Sequence, residues 1–158
     1  SYGTERFVSS CAKAGIDGMI LPDVPFEEKD EFAGVCNRYG VEFISLIAPA
    51  SKERIAMIAK EAKGFVYVVS SLGVNGGCDE IITDISSMIQ MIKEHTTLPC
   101  AVGFGISSPE QAAEMAKWAD GVIVGSTTVK LAEKYGKEAA DPIGKCVKTM
   151  KEAIRQKK

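Results

Sequence analysis

The chain has 158 residues, of which 46% are hydrophobic and 25% charged, a composition typical of one globular domain with a full core. Its net charge of -2, with both signs mixed along the sequence, argues against a nucleic-acid partner, which requires a basic face. No apolar run reaches the ~18 residues of a membrane-spanning helix, so we expect no membrane partner. Because Ser1 is not a methionine, we expect the chain to be processed, tagged or a fragment.

Short apolar runs alternate with helical patterns along the chain, and glycine, serine or proline separates them. The apolar runs predict five strands, at residues 18–21, 42–47, 65–70, 99–103 and 120–125. The helical patterns predict seven helices, at residues 2–14, 27–39, 51–62, 81–94, 108–118, 126–135 and 142–156. This alternation predicts an α/β fold with a parallel sheet, and no linker divides residues 1–158, so we expect a single domain. Because the strands are continuously apolar, we expect both faces of the sheet to be covered.

The five cysteines are scattered, odd in number and without a Cys-x-x-Cys pair, which fits neither a disulfide framework nor a zinc site. We interpret them as small apolar residues of a cytoplasmic protein whose thiols stay reduced. The single histidine, His95, lies at the end of a helical pattern, where it suits the helix dipole. One histidine cannot form a His-based cluster, so we predict no metal site.

Glycine and serine follow the last two predicted strands. Gly103, Gly105 and Gly125 allow a close backbone approach or a positive φ, and Ser107 and Ser126 stand where helices begin. Unpaired N–H groups at two neighbouring helix starts form an anion site, and barrels of alternating strands and helices bind phosphate after their last two strands. Taken singly, either turn is also typical of an ordinary strand-to-helix connection.

Large apolar side chains accompany these turns at the predicted strand ends, namely Ile20, Leu46, Tyr67, Phe104 and Ile123. Because parallel sheets place their sites at the carboxyl ends of strands, this mixture suits a small aromatic or apolar ligand that carries a phosphate. Each apolar residue is individually as typical of a simple core. The loop at residues 71–78 is longer and richer in glycine than the other connections.

As a group, these residues resemble the alpha chain of tryptophan synthase, from Tyr2 to about Arg155. The most specific pieces are Leu-Pro-Asp-Val-Pro at 21–25, Tyr-Val-Val-Ser at 67–70, Gly-Val-Asn-Gly at 73–76, Gly-Phe-Gly-Ile-Ser-Ser-Pro-Glu-Gln at 103–111, and Gly-Ser at 125–126 followed by Val129. The family is a (βα)8 TIM barrel that cleaves indole-3-glycerol phosphate to indole and glyceraldehyde 3-phosphate. The resemblance therefore implies a lyase of tryptophan biosynthesis and, for this chain, a partial TIM barrel with five parallel strands.

The resemblance also implies partners and site residues. The family works in an αββα complex with a beta subunit that carries pyridoxal phosphate (PLP), so no cofactor is implied for this chain. By position, the substrate phosphate would bind backbone N–H groups of Gly76, Gly105, Gly125 and Ser126. The indole pocket would comprise Ile20, Leu46, Tyr67, Val69, Phe104 and Ile123. A lid at 70–78 would include Ser71, Gly73 and Asn75, and the loop with Asp23 and Pro25 resembles part of the beta-subunit contact surface.

The sequence departs from the family in the lid and in its length. Ser71 and Asn75 stand where the family usually has arginine and threonine, so lid closure would rest on the Asn75 amide. The family's catalytic Glu and Asp, and three strands of a barrel of about 250 residues, have no counterpart here. We therefore expect the isolated chain to be nearly inactive, and to self-associate through uncovered strands or to form a flattened sheet.

Two other functions fit the same sequence features. One is another phosphate-binding TIM-barrel enzyme, an isomerase or epimerase of a sugar phosphate, which would require two acid/base groups at strand ends. The other is a non-catalytic fragment that binds a ligand or a beta subunit.

Overall fold

A computed structural model of the chain describes residues 2–69, 78–103 and 105–156. The strands are β1 Gly18–Met19, β2 Glu42–Phe43, β3 Ser45–Ile47, β4 Val66–Val69, β5 Cys100–Gly103 and β6 Gly121–Val122. The helices are α1 Thr4–Lys13, α2 Asp30–Tyr39, α3 Lys52–Glu61, α4 Cys78–Lys93, α5 Pro109–Met115, α6 Ser126–Tyr135 and α7 Ala140–Arg155. Short 3₁₀ turns lie at Phe26–Glu28 and Gly136–Glu138.

Every strand pair among the described residues is parallel, which confirms the predicted α/β architecture. Strand β1 pairs with β2, and a second sheet has the order β3-β4-β5-β6. Within each sheet the strands follow one another in space as they do in sequence, and an α-helix lies in the chain between each pair of strands that are neighbours in a sheet. This is the arrangement of a sector of a (βα) barrel.

The predicted strand at 42–47 is divided into two strands at Ile44, which corrects the sequence prediction. The Ile44 N–H donates to the Met19 carbonyl at 2.9 Å, whereas the next residue, Ser45, pairs with Val66 of β4. The Ile44 side chain is buried against Gly18 and Gly64, two positions where a Cβ would crowd it. The chain thus changes its pairing partner at Ile44, whose side chain occupies the space beside Gly18 and Gly64.

Several predicted boundaries are also shifted. Strand β1 ends at Met19 and strand β6 ends at Val122, earlier than predicted, although one further hydrogen bond joins Ile123 to β5. Helix α5 ends at Met115 rather than at residue 118, and the following residues form a turn whose N–H groups still bond to its last carbonyls. Helix α4 begins at Cys78, so this residue belongs to a helix and not to the lid in which the resemblance placed it.

Burial alternates along the central strands, and this corrects the expectation of a sheet covered on both faces. On the helix-facing side, Ile47, Val66, Val68 and Val102 have no exposed surface. The residues between them, Leu46, Tyr67, Val69 and Ala101, are only half-buried. Burying an aliphatic side chain fully is worth about 1.5–3 kcal/mol, so the helix-facing side carries most of the packing energy. We call the half-buried side the inner face.

Two hydrophobic clusters lie on the helix-facing side. The larger cluster joins β3, β4 and β5 to α3, α4, α5 and α7. The smaller cluster joins α1, β1 and α2 through Val8, Met19, Cys36 and Val41. Polar pairs link the regions of α2 and α3: Lys29 pairs with Glu61, and Lys63 donates to the Asn37 side chain at 2.7 Å. Phe26, which lies before α2, packs against the larger cluster, so apolar contact also contributes to this link.

The starts of β5 and β6 are joined by a polar clamp around Asp120. Its carboxylate accepts hydrogen bonds from the Cys100 N–H at 2.8 Å and from the Lys93 ammonium at 2.7 Å. Lys93 also donates to the Leu98 carbonyl at 3.0 Å. Charge-assisted hydrogen bonds to a backbone N–H are among the stronger ones in proteins. The clamp lies at the amino ends of the strands, where barrels carry stability rather than function.

Gly103, the last residue of β5, is required by the position of Tyr67. A Cβ at this position would overlap the hydroxyl and the ring of Tyr67, which extends across the glycine from the neighbouring strand β4. The pairing of Val69 with Gly103 places the two strands at this spacing. The glycine therefore provides the space in which the tyrosine ring lies.

We expect Gly103→Ala to lower the free energy of unfolding by about 1–3 kcal/mol, because the methyl group must displace the Tyr67 ring. The matched control is Gly121→Ala in β6, where the nearest atom to a new Cβ is the Ala101 Cβ at 3.7 Å. Urea unfolding followed by circular dichroism measures both variants. An equal loss in the two would contradict the close contact between Tyr67 and Gly103.

Candidate functional site

The turns that follow β5 and β6 lie side by side at the carboxyl ends of the strands. The Ile123 N–H donates to the Val102 carbonyl at 2.8 Å and so continues the β5–β6 pairing up to the turns. Between them is a cavity of about 180 Å³, lined by Tyr67, Gly105, Ile106, Ile123, Gly125 and Ser126. Five of these six residues were candidate site residues in the sequence analysis. The structure thus brings together side chains and amides that are separated by up to 59 positions in the chain.

The amino end of α6 contributes backbone donors to this cavity. Gly125 precedes the helix, and no side chain caps the first turn. The first N–H groups of an α-helix have no partner within the helix, and the helix dipole adds a partial positive charge there. The Thr128 hydroxyl bonds to the Val124 carbonyl at 3.0 Å and leaves these amides untouched. A helix start of this kind suits an anion.

The amino end of α5 is arranged differently. The helix begins at Pro109 with Ser108 as its cap, which agrees with the helix predicted at residues 108–118, but the expectation of an unpaired N–H group at Ser107 is wrong. The side-chain oxygen of Gln111 accepts hydrogen bonds from the N–H of Ser107 at 2.9 Å and from the N–H of Ser108 at 3.2 Å. These two amides are therefore already bonded, and among the helix starts flanked by described residues α6 is the one that offers uncapped amides to the cavity.

Gln111 is the residue that our sequence reasoning missed. The signal was present as Ser-Pro-Glu-Gln at 108–111, because serine followed three residues later by glutamine is the pattern of a capping box. The structure shows both halves of that box: the Ser108 hydroxyl accepts from the Gln111 N–H at 3.3 Å, and Gln111 accepts in return.

The turn after β5 places a glycine and a buried anchor next to each other. Gly105 has φ +73°, a conformation that favours glycine, and it is exposed to the cavity. Ile106 follows it with only 3% of its surface exposed and packs into the larger hydrophobic cluster. Gly125 on the opposite turn has φ -98°, and no atom lies within 4 Å of the position of a Cβ. The space at Gly125 is therefore open.

The remaining wall of the cavity is apolar, with one phenol. Burial raises the pKa of the Tyr67 hydroxyl, because the ionised form would lose its hydration, so the group is neutral at pH 7. The lining contributed by described residues contains no Asp, Glu or His. Among the described residues, no group of three or more His, Cys, Asp or Glu side chains could hold a metal ion.

The other candidate residues lie elsewhere or outside the described part. Leu46 pairs with Tyr67 on the inner face, and Val69 pairs with Gly103, but neither lines the cavity. Ile20 is 39% exposed beyond the end of β1. Asp23 and Pro25 are exposed in the loop before α2. The candidate residues outside the described part are Ser71, Gly73, Asn75, Gly76 and Phe104.

The fold and the cavity define a sector of a parallel (βα) barrel with a glycine-lined site at the carboxyl ends of its strands. The model of the family described as "Tryptophan synthase alpha chain" matches residues 1–157. The chain belongs to this family. Within the described part, no helix has both the length and the apolar character needed to cross a membrane.

Individual relatives agree with this assignment. The tryptophan synthase alpha chain of Lacticaseibacillus casei is 43% identical over 157 residues, which cover 99% of this chain and 59% of the relative. That of Geobacter sulfurreducens is 44% identical and is covered to 58%. The solved alpha subunit of Campylobacter jejuni superposes with a TM-score of 0.85 at 37% identity, over 94% of this chain and 59% of that one. The chain thus spans about three fifths of the length of these relatives.

We expect Gly125→Ala to weaken the binding of inorganic phosphate by about tenfold, equivalent to about 1.4 kcal/mol, because the methyl group enters the open space beside the α6 amides. The stability should change by less than about 0.5 kcal/mol, since φ at this position suits alanine. Isothermal titration calorimetry and urea unfolding measure the two quantities.

The matched control is Gly144→Ala in the middle of α7, where a new Cβ also meets no atom within 4 Å. It should stabilise the helix by about 1 kcal/mol and leave phosphate affinity unchanged. Equal phosphate affinity in the Gly125 and Gly144 variants would contradict an anion site at α6.

Proposed function

We propose that the chain is part of a lyase of tryptophan biosynthesis, and that the parent enzyme cleaves indole-3-glycerol phosphate to indole and glyceraldehyde 3-phosphate. The observation that carries this proposal is the cavity in which the turns of Gly105 and Gly125 meet opposite Tyr67 and Ile123. Membership of the tryptophan synthase alpha chain family supports it independently.

The phosphate end of the substrate would lie against the two turns. The uncapped amides at the start of α6 and the glycines at 105 and 125 allow oxygen atoms to approach the backbone closely. Gly76, which belongs to the same predicted set, lies outside the described residues. Backbone donors suit a phosphate because several N–H groups can point at one anion without bringing a side chain that must be ordered.

The indole end would lie against the apolar wall. Tyr67 and Ile123 line the cavity, and the inner face continues from Tyr67 to its pairing neighbour Leu46 and towards Val69. A flat apolar ring gains affinity by leaving water for such a surface. The Tyr67 phenol is neutral and does not repel an electron-rich ring.

Proton transfer requires groups that this cavity does not offer among its described residues. Cleavage of the carbon–carbon bond needs an acid/base pair, and the lining contains no carboxylate or imidazole. We infer that this chain supplies the phosphate and indole walls and that its described cavity does not supply the acid/base pair. The chain alone would then bind ligand without turnover.

A sugar-phosphate isomerase or epimerase is the competing function. Such an enzyme needs a polar pocket with two acid/base groups placed on either side of the sugar. The described lining has three apolar or aromatic side chains, Tyr67, Ile106 and Ile123, around the glycines. This composition favours an aromatic substrate.

A beta subunit that carries PLP is the proposed protein partner. A structural neighbour with a TM-score of 0.76 at 28% identity is described as the tryptophan synthase a2b2 complex of Pyrococcus furiosus. The exposed loop with Asp23 and Pro25 is the proposed contact surface on this chain. No cofactor is proposed for the chain itself, and a cytoplasmic location stays a prediction from its cysteines.

We expect the chain to bind indole-propanol phosphate more tightly than ribose 5-phosphate by at least about tenfold, because only the former can bury a ring on the apolar wall. The same preparation should cleave indole-3-glycerol phosphate no faster than a buffer control. Calorimetry measures the affinities and indole release measures turnover. A preference for the sugar phosphate would favour the isomerase, and cleavage at the rate of complete enzymes would refute the inactive chain.

We also expect the isolated chain to self-associate through the inner face, because its half-buried apolar residues and the edge strands β1 and β6 lack cover within the described residues. Val69→Thr should weaken association, whereas Val147→Thr on the exposed surface of α7 should not. Sedimentation velocity measures both variants. A stable, folded monomer of 16.9 kDa would contradict this prediction.

A further inference from the structure

We propose that Gln111 is a positioning residue for the phosphate of the substrate: its neutral amide fixes the turn of Gly105 and Ile106 without placing charge beside the anion. This inference rests on the proposed function, since it concerns the same cavity. Gln111 is not among the lining residues, and its side chain bonds to Ser107, which follows the lining residues Gly105 and Ile106.

The contacts of the Gln111 side chain explain how it holds this turn. Its amide oxygen accepts hydrogen bonds from the Ser107 N–H at 2.9 Å, the Ser107 hydroxyl at 3.1 Å and the Ser108 N–H at 3.2 Å. A carbonyl oxygen has two lone pairs, so three donors saturate it. The side chain therefore ties two consecutive backbone amides of the turn to the first turn of α5.

The hydrogen bonds of Gln111 fix the position of the cavity wall. Ile106 is buried in the larger hydrophobic cluster on one side of Ser107, and Gln111 holds Ser107 on the other side. With both flanks fixed, Gly105 is held at its φ of +73° at the edge of the cavity. The amides of Ser107 and Ser108 are bonded to Gln111, so in this turn the anion would meet the backbone at Gly105, opposite the start of α6.

The proposal requires a neutral side chain at position 111, whereas a purely structural role as a helix cap does not. Glutamate forms a capping box as well as glutamine does, and it is favoured near a helix start. A carboxylate at position 111 would nevertheless place a negative charge on the half-buried side of the turn, next to the residues that line the cavity. Glu110, by contrast, is exposed to solvent, which screens its charge.

Two variants separate the structural role from the effect of charge. Gln111→Glu keeps the cap, so its thermal midpoint should not fall, but its affinity for inorganic phosphate should drop by about tenfold at low salt and recover partly at high salt. Gln111→Ala removes the cap and should lose both stability and phosphate affinity. Phosphate binding is measured by ³¹P NMR titration with inorganic phosphate. Binding of indole, an uncharged ligand, is measured by isothermal titration calorimetry and should be the same in Gln111→Glu and the wild type.

Matched controls exist elsewhere in the chain. Gln90→Glu makes the same change of charge at an exposed position near the carboxyl end of α4, which lies with Lys93 at the opposite end of the strands. Ser51→Ala removes the cap of α3, where the serine hydroxyl accepts from the Arg54 N–H at 3.3 Å. Gln90→Glu should change neither phosphate affinity nor the thermal midpoint by much, and Ser51→Ala should lower only the midpoint.

The outcomes distinguish the two levels of the proposal. If the wild type binds phosphate and both Gln111→Glu and Gln111→Ala bind it with the same affinity, the positioning role is overturned and the proposed function stays intact. Equal losses of phosphate and indole affinity in Gln111→Glu also overturn it, because they indicate a general distortion. Failure of the wild type to bind phosphate overturns the proposed function itself. Selective, salt-dependent loss in Gln111→Glu supports the proposal.

Discussion

The pairing of β5 with β6 is the interaction on which the candidate site depends. The described lining of the cavity contains no charged side chain, and the proposed donors to the anion are backbone amides whose positions follow from the sheet. The Ile123 N–H bonds to the Val102 carbonyl and brings the second turn beside the first, while the Asp120 clamp joins the same strands at their other end. A site made of backbone is therefore only as well defined as the register of the two strands.

The uneven burial of the sheet follows from the same arrangement. In a barrel, one face of each strand packs against helices and the other faces the interior, and here the first is fully buried while the second is half-buried. The helix-facing residues Ile47, Val68 and Val102 hold the sheet together. The inner face is thereby free to be specialised for a ligand, with Tyr67 as its largest described side chain near the cavity.

The sequence was sufficient for the order of elements, for their parallel arrangement and for the two turns, because these follow from local signals: apolar runs, glycine after a strand, and proline after a serine cap. It was not sufficient for the break at Ile44, because a run from Glu42 to Ile47 is equally apolar whether it pairs with one neighbour or two. Nor did it show that Gln111 uses the amides of Ser107 and Ser108, since the destination of a side-chain hydrogen bond is a property of three-dimensional geometry. Which residues bind ligand remains a prediction.

The change of partner at Ile44 has a consequence for how the chain opens. The segment with α1, β1, α2 and β2 has its own small cluster around Val8 and Cys36, and it meets the rest of the fold through polar pairs such as Lys29–Glu61 and through Phe26, which packs against the larger cluster. Such a segment has the features of a cooperative unit that unfolds locally while the larger cluster stays intact. Amide hydrogens of α1 and α2 would then exchange with solvent earlier than those of β4 and β5. The strands that lose protection first would be β1 and β2, which do not belong to the sheet that carries the cavity.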